Sequence, residues 1–404
     1  MTLVQQELKK CYIWSTEVKK IYKGSTQVRP TIDANTITVT WTETSNPASF
    51  NPVYSDGATW WTAGSTNFDD FFGYSAARID TNWTEIATYT QTQSWWAGKL
   101  DMLQVTAMAP WTQNIMIKFP VMWIKMTKSG SNVTLSITKT TWRESDWYQY
   151  YAHCTWTISN PWTPKNALYL WAYPARLSGS VLKSNSGATP VTNQTQQELC
   201  TEAKNNGTWY NIIWFYQRMF VNALYMMKYW NPNWKSVIWN WVMTWNILNT
   251  WWLTSQKDAT YWTTGTTTQM KLFWLEDWRW NVGEYIWWVY TDWSKKLYTM
   301  ISWWDWTLTG WEWTWLTVWN TTWNNISSIA GNNIAMFAPI ATVANGNYNT
   351  YYSSYTIAQQ RWINLAPSWG WYIWQSNKCW PFWLDFYNAD NMTNQYIWSR
   401  LMYL

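Results

Sequence analysis

The alternation of apolar and polar residues is clearest in the first third of the chain. Ile37, Val39 and Trp41 alternate with threonines over 36–42, and Val133, Leu135 and Ile137 do the same over 133–138. A period of two puts such residues on one face, so both segments predict half-buried β-strands. A longer apolar run, 114–126, ends at Lys128-Ser129-Gly130-Ser131-Asn132 and predicts a hairpin with 133–139. Strands separated by polar turns, without a helical period, predict a β-sandwich over residues 31–165. The run Asn160-Pro161-Trp162-Thr163-Pro164-Lys165 reads as a linker, because two prolines interrupt any regular element.

After Leu168 the pattern changes. Residues 195–205 form a polar helix candidate with Gln and Glu in its first turn. Over 211–229, apolar residues such as Ile212, Phe215, Met219, Leu224 and Met227 predict a helix with a wide buried face, capped by Asn211. From about 235 onward the periodicity fades into Gly, Trp, Asn, Thr and Tyr, which suits a loop-heavy fold. Ile397, Leu401 and Leu404 predict a final buried strand over 396–404. At the other end, residues 1–30 read as a short leader in which two repeat copies, YIWSTEV (12–18) and YKGSTQV (22–28), make a small hairpin. The fold class is α+β.

Composition narrows the picture. The 404 residues suffice for two or three domains, yet only 13% are charged, about half the usual share. Thr, Asn, Ser, Tyr and Trp supply the polarity, the palette of adaptable binding surfaces. A net charge of +5 is too small and spread out to predict a nucleic-acid partner. Lys9, Lys10, Lys19, Lys20, Lys23 and Arg29 read as a solvated terminal segment. No apolar stretch reaches the length of a membrane span, since 211–230 is interrupted by Arg218 and Lys228. MTLVQQELKK has no apolar core, so no secretory signal is expected. Four scattered cysteines, Cys11, Cys154, Cys200 and Cys379, predict buried free thiols rather than disulfides or zinc.

Tryptophan does not fit this picture. There are 45 Trp against 15 Gly, where an ordinary chain of this size would hold about 28 Gly. Asn82-Trp83, Asn240-Trp241, Asp292-Trp293 and Asp305-Trp306 stand where Asn-Gly or Asp-Gly turns are expected. In the repeat, Trp14 falls in register with Gly24. A gene whose UGA codons specify glycine, translated as though they specified Trp, would give this pattern. The alternative is a chain rich in Trp for ligand stacking.

Catalytic signals are sparse. The single histidine, His153, adjoins Cys154, but adjacent residues on a strand face opposite ways, which disfavours a Cys-His nucleophile. There is no P-loop, GxGxxG, GxSxG or HExxH motif. Glu276, Asp277 and Glu284 form an acidic cluster that could bind a cation or serve as acid and base; a structural role in a loop-rich fold is the simpler reading. No cofactor and no metal is expected.

The segment EDWRWNVGEYIWW (276–288) resembles the W-G-N-V-W-E-W segment of a C-type-lectin-like fold. That fold is shared by formylglycine-generating enzymes and the variable proteins of diversity-generating retroelements. Trp278, Asn281, Val282 and Glu284 match, while Trp280 stands at a family glycine. IWSRLMYL (397–404) resembles the closing G-x-R-L strand, with Trp398 again at the glycine. LYLWAY (168–173) and the helices after it resemble phage receptor-binding and tail proteins that carry such a domain. The resemblance covers roughly 168–404. Catalysis in the enzymatic branch uses two cysteines, and the surroundings of Cys200 and Cys379 do not match them.

The resemblance therefore implies a C-terminal C-type-lectin-like (formylglycine-generating-enzyme-like) ligand-binding domain over 166–404, with a variable region at about 369–396. In the retroelement branch, mutagenesis at template adenines scatters Asn, Tyr, Asp and Ser over a fixed scaffold. The candidate ligand-binding residues are Trp371, Tyr372, Gln375, Ser376, Asn377, Phe382 and Asp385, then Tyr387, Asn388, Asn391, Thr393, Asn394 and Tyr396. Cys379, Pro381, Leu384, Ala389 and Ile397 read as framework between them. The implied protein is no enzyme. It is a receptor-binding component of a phage tail tip or fibre, a homo-oligomer held to other virion proteins by residues 1–30. Its target is a host cell-surface protein or glycan. An exported cell-surface adhesin, or a glycan-processing enzyme using Glu276, Asp277 or Glu284, are the rivals.

Overall fold

The computed structural model describes, in its first half, residues 12–13, 16–17, 22–23, 26–27, 33–46, 49–79, 85–89, 114–141, 143–154, 164–185 and 189–207. Beyond these it describes 209–231, 259–262, 268–278, 283–287, 289–291, 296–300, 311–317, 324–343, 352, 355–358, 368–369, 385–386, 393 and 397–403.

In chain order, the elements begin with β1 (Tyr12–Ile13), β2 (Thr16–Glu17), β3 (Tyr22–Lys23), β4 (Thr26–Gln27), β5 (Thr36–Thr42) and β6 (Val53–Asp56). Helix α1 (Thr66–Phe72) precedes β7 (Ser75–Ile79), β8 (Glu85–Tyr89), β9 (Asn114–Pro120), β10 (Trp123–Ser129) and β11 (Asn132–Thr138). Next come β12 (Ala167–Trp171), β13 (Arg176–Ser178), β14 (Val181–Lys183), α2 (Gln196–Lys204), β15 (Tyr210–Ile212) and α3 (Phe215–Tyr229). Then follow β16 (Ala259–Trp262), β17 (Thr268–Leu272), β18 (Leu275–Glu276), β19 (Gly283–Tyr285), β20 (Val289–Thr291) and β21 (Lys296–Met300). The last are β22 (Trp311–Thr317), β23 (Asn324–Ile329), β24 (Pro339–Val343), β25 (Tyr355–Ala358), β26 (Ser368–Trp369), β27 (Asp385–Phe386), β28 (Ile397–Trp398) and β29 (Leu401–Tyr403). The chain is α+β, mostly strands in several sheets.

The alternating segments became strands for the expected reason. In β5, Ile37, Val39 and Trp41 are buried, and β11 lies antiparallel beside it. The polar face is also used: Thr36 meets Thr138 at 2.8 Å, Thr38 meets Ser136 at 2.8 Å and Thr40 meets Thr134 at 3.1 Å, a hydroxyl ladder across the pair. The hairpin at Gly130 is present, with the glycine left-handed at φ 59.

Other expectations changed. The apolar run 114–126 is two strands, because Pro120 cannot donate to a ladder and the chain breaks after it. β9 enters one sheet and β10 another, in the orders β15-β29-β12-β9-β7-β8 and β10-β11-β5-β6. The two N-terminal repeat copies do not share a hairpin; each forms its own, β1 with β2 and β3 with β4. Within the supposed all-β text lies α1, ended by Gly73 at φ 63; its buried Phe68, Phe71 and Phe72 stand at i, i+3 and i+4, a helical period that lasts only two turns.

The six-stranded sheet crosses the boundary expected at residue 165, since β9 pairs with β12 and β12 with β29. Successive residues serve its two faces. Ile115, Ile117, Leu170 and Met402 enter one core with β5, α3 and residues 326–338, whereas Met116, Trp171 and Leu401 enter another beneath Leu199, Cys200 and Ala203 of α2. Residues of the expected sandwich and of the C-terminal part thus share one apolar cluster. Tyr352 adds a tie, donating to Glu43 at 2.6 Å and accepting from the Trp41 indole at 3.1 Å.

Helix α2 begins as predicted: Thr195 accepts from the Glu198 amide at 3.1 Å, and the Glu198 carboxylate accepts from the Thr195 amide at 2.7 Å. Helix α3 starts later than the sequence suggested. Asn211 is no cap but a buried residue of β15, paired with Met402; Trp214 precedes the helix and its amide donates to the Gln217 side chain at 3.2 Å. Every residue of α3 from Phe215 to Lys228 is buried. Among the described residues no helix is long and apolar enough to cross a membrane.

His153 ends a short 3-10 turn against α3, edge-on to Phe220 with ring centres 5.0 Å apart. Neither ring nitrogen has a hydrogen-bond partner, and burial pushes its pKa down to about 3. The imidazole therefore stays neutral in the fold, while the unfolded chain takes up a proton below about pH 6.5. Stability should fall as pH drops from 6.5 towards 3, at about 1.4 kcal/mol per unit. Between pH 7 and pH 5 the native chain should lose about 2 kcal/mol more than His153→Leu in urea titrations. Parallel pH profiles for the two proteins would refute this account.

Candidate functional site

The short strands that flank the expected ligand region, β26, β27 and β28, belong to a seven-stranded sheet ordered β24-β23-β25-β27-β26-β19-β28. β26 is antiparallel to both β19 and β27, and β28 is parallel to β19. Residues 370–384 therefore join two antiparallel neighbours. Residues 387–396 join two strands of the same direction. Both belong to the segment 369–396, expected from the sequence to bind the ligand.

Few of the candidate residues fall on described positions. Asp385 lies in β27, in register with Ser368 and with Ile357. Thr393 is exposed. Trp371, Tyr372, Gln375, Ser376, Asn377, Phe382, Tyr387, Asn388, Asn391, Asn394 and Tyr396 lie outside the described residues. So do Cys379, Pro381, Leu384 and Ala389 of the expected framework. Leu401, expected in the core, is fully buried.

The base of this region is a buried charge cluster centred on Glu284 of β19. Arg218, on the first turn of α3, places Nη1 2.6 Å from Glu284 Oε2 and donates through Nη2 to the Trp278 carbonyl at 2.8 Å. Its guanidinium lies over the Trp278 ring, 3.7 Å from the centroid. Arg400, between β28 and β29, reaches Glu284 Oε1 at 3.5 Å and donates to the carbonyls of Trp171 at 2.6 Å and Glu276 at 2.5 Å. Lys271 and Glu276 stand 3.8 Å apart beside them.

Arg218, Arg400 and Lys271 face Glu276, Asp277 and Glu284, three cations against three carboxylates, all nearly inaccessible to water. That balance makes their burial tolerable, because an isolated charge in such a place would be severely destabilising. Burial lowers the Arg218 pKa to about 9 despite the opposing pull of Glu284, with Arg400 adding repulsion. Burial likewise lowers Arg400 and Lys271 against the attraction of the neighbouring carboxylates.

No protein-family model matches the chain, and no curated protein matches its sequence.

Of the motif residues that carried the resemblance, Trp278 and Glu284 are brought together on Arg218, one through its ring and one through its carboxylate. Asn281 and Val282 lie outside the described residues. The acidic trio named as acid–base candidates is consumed inside the fold: Glu284 is held by two arginines, and Glu276 and Asp277 are buried beside Lys271 and Arg400. His153 and Cys154 do not form a dyad, for Cys154 packs with Trp123 and Tyr150 while His153 meets Phe220. Cys200 is buried, which pushes its thiol far above the ordinary range and keeps it protonated. Among the described residues no three His, Cys, Asp or Glu side chains gather as metal ligands.

The sequence reading missed Arg218 and Arg400 as partners of Glu284. One signal was available: an arginine inside a helix with a wide buried face requires a buried counter-charge. Removing that counter-charge should be costly. Glu284→Ala leaves two buried arginines facing each other and should lower stability by about 3–5 kcal/mol in chemical denaturation. A loss below about 1 kcal/mol would show that water reaches the cluster and screens it.

Proposed function

We propose that the chain is a recognition protein that binds a cell-surface protein or glycan through residues 369–396. In this reading the region is the variable surface of a C-type-lectin-like domain of the diversity-generating-retroelement kind, carried on a phage tail tip or fibre. The observation that carries the proposal is the pairing of two unlike layers. Strands β26, β27 and β28, which bracket the segment, share a sheet with β19, and β19 is fixed from beneath by the Glu284 cluster. The bracketed connections are dense in Tyr, Asn, Asp and Ser. A rigid frame carrying long polar connections is how binding sites are commonly built, since the frame limits the ordering entropy lost on binding.

The chemistry of the segment suits recognition. Tyrosine offers a large contact area with only two rotatable bonds, and Asn and Ser adapt their hydrogen bonds to the partner. Hot spots are few and favour Tyr, Trp and Arg. Tyr372, Tyr387 and Tyr396 are therefore assigned the largest share of the affinity. Residues 1–30, with two separate small hairpins, would serve attachment to other virion proteins, because two-residue strands are too short to be stable alone.

Replacing Tyr372, Tyr387 and Tyr396 together with alanine should abolish binding to whole target cells and leave the melting temperature within about 2 °C, as expected for surface positions. Grafting a different segment of equal length over 369–396 should redirect binding to another cell type. Unfolding of the triple variant, or undiminished binding, would place recognition elsewhere. Sequencing the DNA around the gene adds an independent check, the expected finding being a reverse transcriptase and a near-copy of the gene's 3′ end.

A further inference from the structure

Among the described residues, nine that are not glycine carry a positive φ, and three of them are tryptophans: Trp147 at 65°, Trp230 at 44° and Trp274 at 65°. Four others, Asn51, Asp56, Asn193 and Asp277, belong to the residue types that tolerate this region because their short polar side chains bond locally. Tryptophan has no such compensation. Its Cβ crowds the following carbonyl, and its large ring must still be housed.

One of these positions has a direct glycine counterpart elsewhere in the same molecule. Helix α1 ends at Gly73, whose amide donates to the Asp69 carbonyl at 2.8 Å. Helix α3 ends in the same way at Trp230, whose amide donates to the Met226 carbonyl at 2.7 Å. Left-handed Gly130 and Gly179 begin the two-residue connections of the β10–β11 and β13–β14 hairpins, the position that Phe273 holds in the β17–β18 hairpin. The β17–β18 hairpin is also closed by two residues, Phe273 and Trp274, both at positive φ, the backbone signature of a type I′ turn that ordinarily holds Asn-Gly. Trp147 follows Asp146 directly after a 3-10 turn and is 77% exposed, so no packing explains its conformation.

A second group of tryptophans behaves differently. Trp41 sits in the extended strand β5, 1% exposed, with its indole nitrogen 3.1 Å from the Tyr352 hydroxyl. Trp123 packs at a tilt against Tyr150 with ring centres 4.3 Å apart, and Trp278 lies under Arg218. In these places the indole makes a contact, as the buried ring of Trp274 also does against Tyr74, but none of the three has a positive φ, and that is what separates the groups.

We infer that residues 147, 230 and 274 are glycines in the protein as its own cell makes it, and that 41, 123 and 278 are true tryptophans. These six described tryptophans thus sort by backbone into glycine positions, coded UGA, and indole positions, coded UGG. The partner this requires in synthesis is a glycyl-tRNA that reads UGA, so the chain is completed only in a cell that possesses one. The pairings support the same sorting at positions picked from sequence. Asn82-Trp83 and Asp292-Trp293 fall between the paired strands β7–β8 and β20–β21, and Asp305-Trp306 between β21 and β22.

Three measurements test the inference. Codons should read UGA at 147, 230 and 274 and UGG at 41, 123 and 278; UGG at the first three, or UGA at the last three, overturns the assignment. Peptide mass spectrometry of protein from its native source should give glycine masses at the first three positions, and tryptophan masses there would refute it. In recombinant protein carrying Trp throughout, Trp147→Gly should melt above the parent, whereas Trp147→Ala, which removes the ring but keeps Cβ, should gain less. Equal melting of the two variants would remove backbone strain as the basis of the sorting. Trp274 is unsuited to this comparison because its ring also packs edge-on against Tyr74.

Discussion

A carboxylate that cannot reach water organises the centre of this molecule. Glu284 is nearly inaccessible, so its charge must be answered by protein alone, and the answers come from distant parts of the chain. Arg218 brings in the start of α3, and Arg400 brings in the chain's closing turn. Arg400 then spends its remaining donors on the carbonyls of Trp171 and Glu276, which fixes β12 and β18 relative to β19. Trp278 supplies a π-face to the two guanidinium groups, with centroid distances of 3.7 and 5.5 Å. Three layers of the fold meet at one neutral but highly polar point.

That cluster explains why the chain's last residues do not form the single strand their apolar pattern suggests. Ile397 and Trp398 pair with β19 in the seven-stranded sheet, and Leu401–Tyr403 run between β12 and β15 in the six-stranded one. The switch occurs at Ser399 and Arg400, where Ser399 donates to the Tyr285 carbonyl at 2.9 Å and Arg400 turns to Glu284. An apolar pattern cannot reveal such a switch, because both halves are equally suited to burial. What marks it is a charged residue inside a buried strand.

The same distinction divides what could be read from the sequence from what could not. Period-two alternation in 36–42 and 133–138, the turn at Gly130 and the Gln and Glu in the first turn of 195–205 are local signals, and each specified its element. The longer-range arrangement left weaker traces. Pro120 is the visible break in the run 114–126, yet nothing local says that its halves enter different sheets. The prolines at 161 and 164 looked like a domain boundary, but β9 and β12 pair across it because their apolar faces complete each other. The residues proposed for recognition in 369–396 were picked out only by composition and resemblance, and no period marks them. The charge cluster was legible in half: Glu284 stood out, and its partners lay among residues chosen for other reasons.

Helix α3 shows why such polar contacts persist in a core that apolar residues could fill. A helix buried on every side has no amphipathic stripe to set its rotation, and many orientations would bury nearly equal area. Its two cations remove that freedom. Arg218 meets Glu284 near one end, and Lys228 meets Asp69 of α1 at 2.7 Å near the other, ten residues and about 15 Å along the axis. Each pair adds little net energy once desolvation is counted, but misplacing either leaves a buried charge unanswered. Apolar burial therefore holds α3 inside the molecule, and the two ion pairs decide which way it faces. Because Arg218 grips the strand beside β26 and β28, the orientation chosen by the helix is passed directly to the frame of the proposed binding surface.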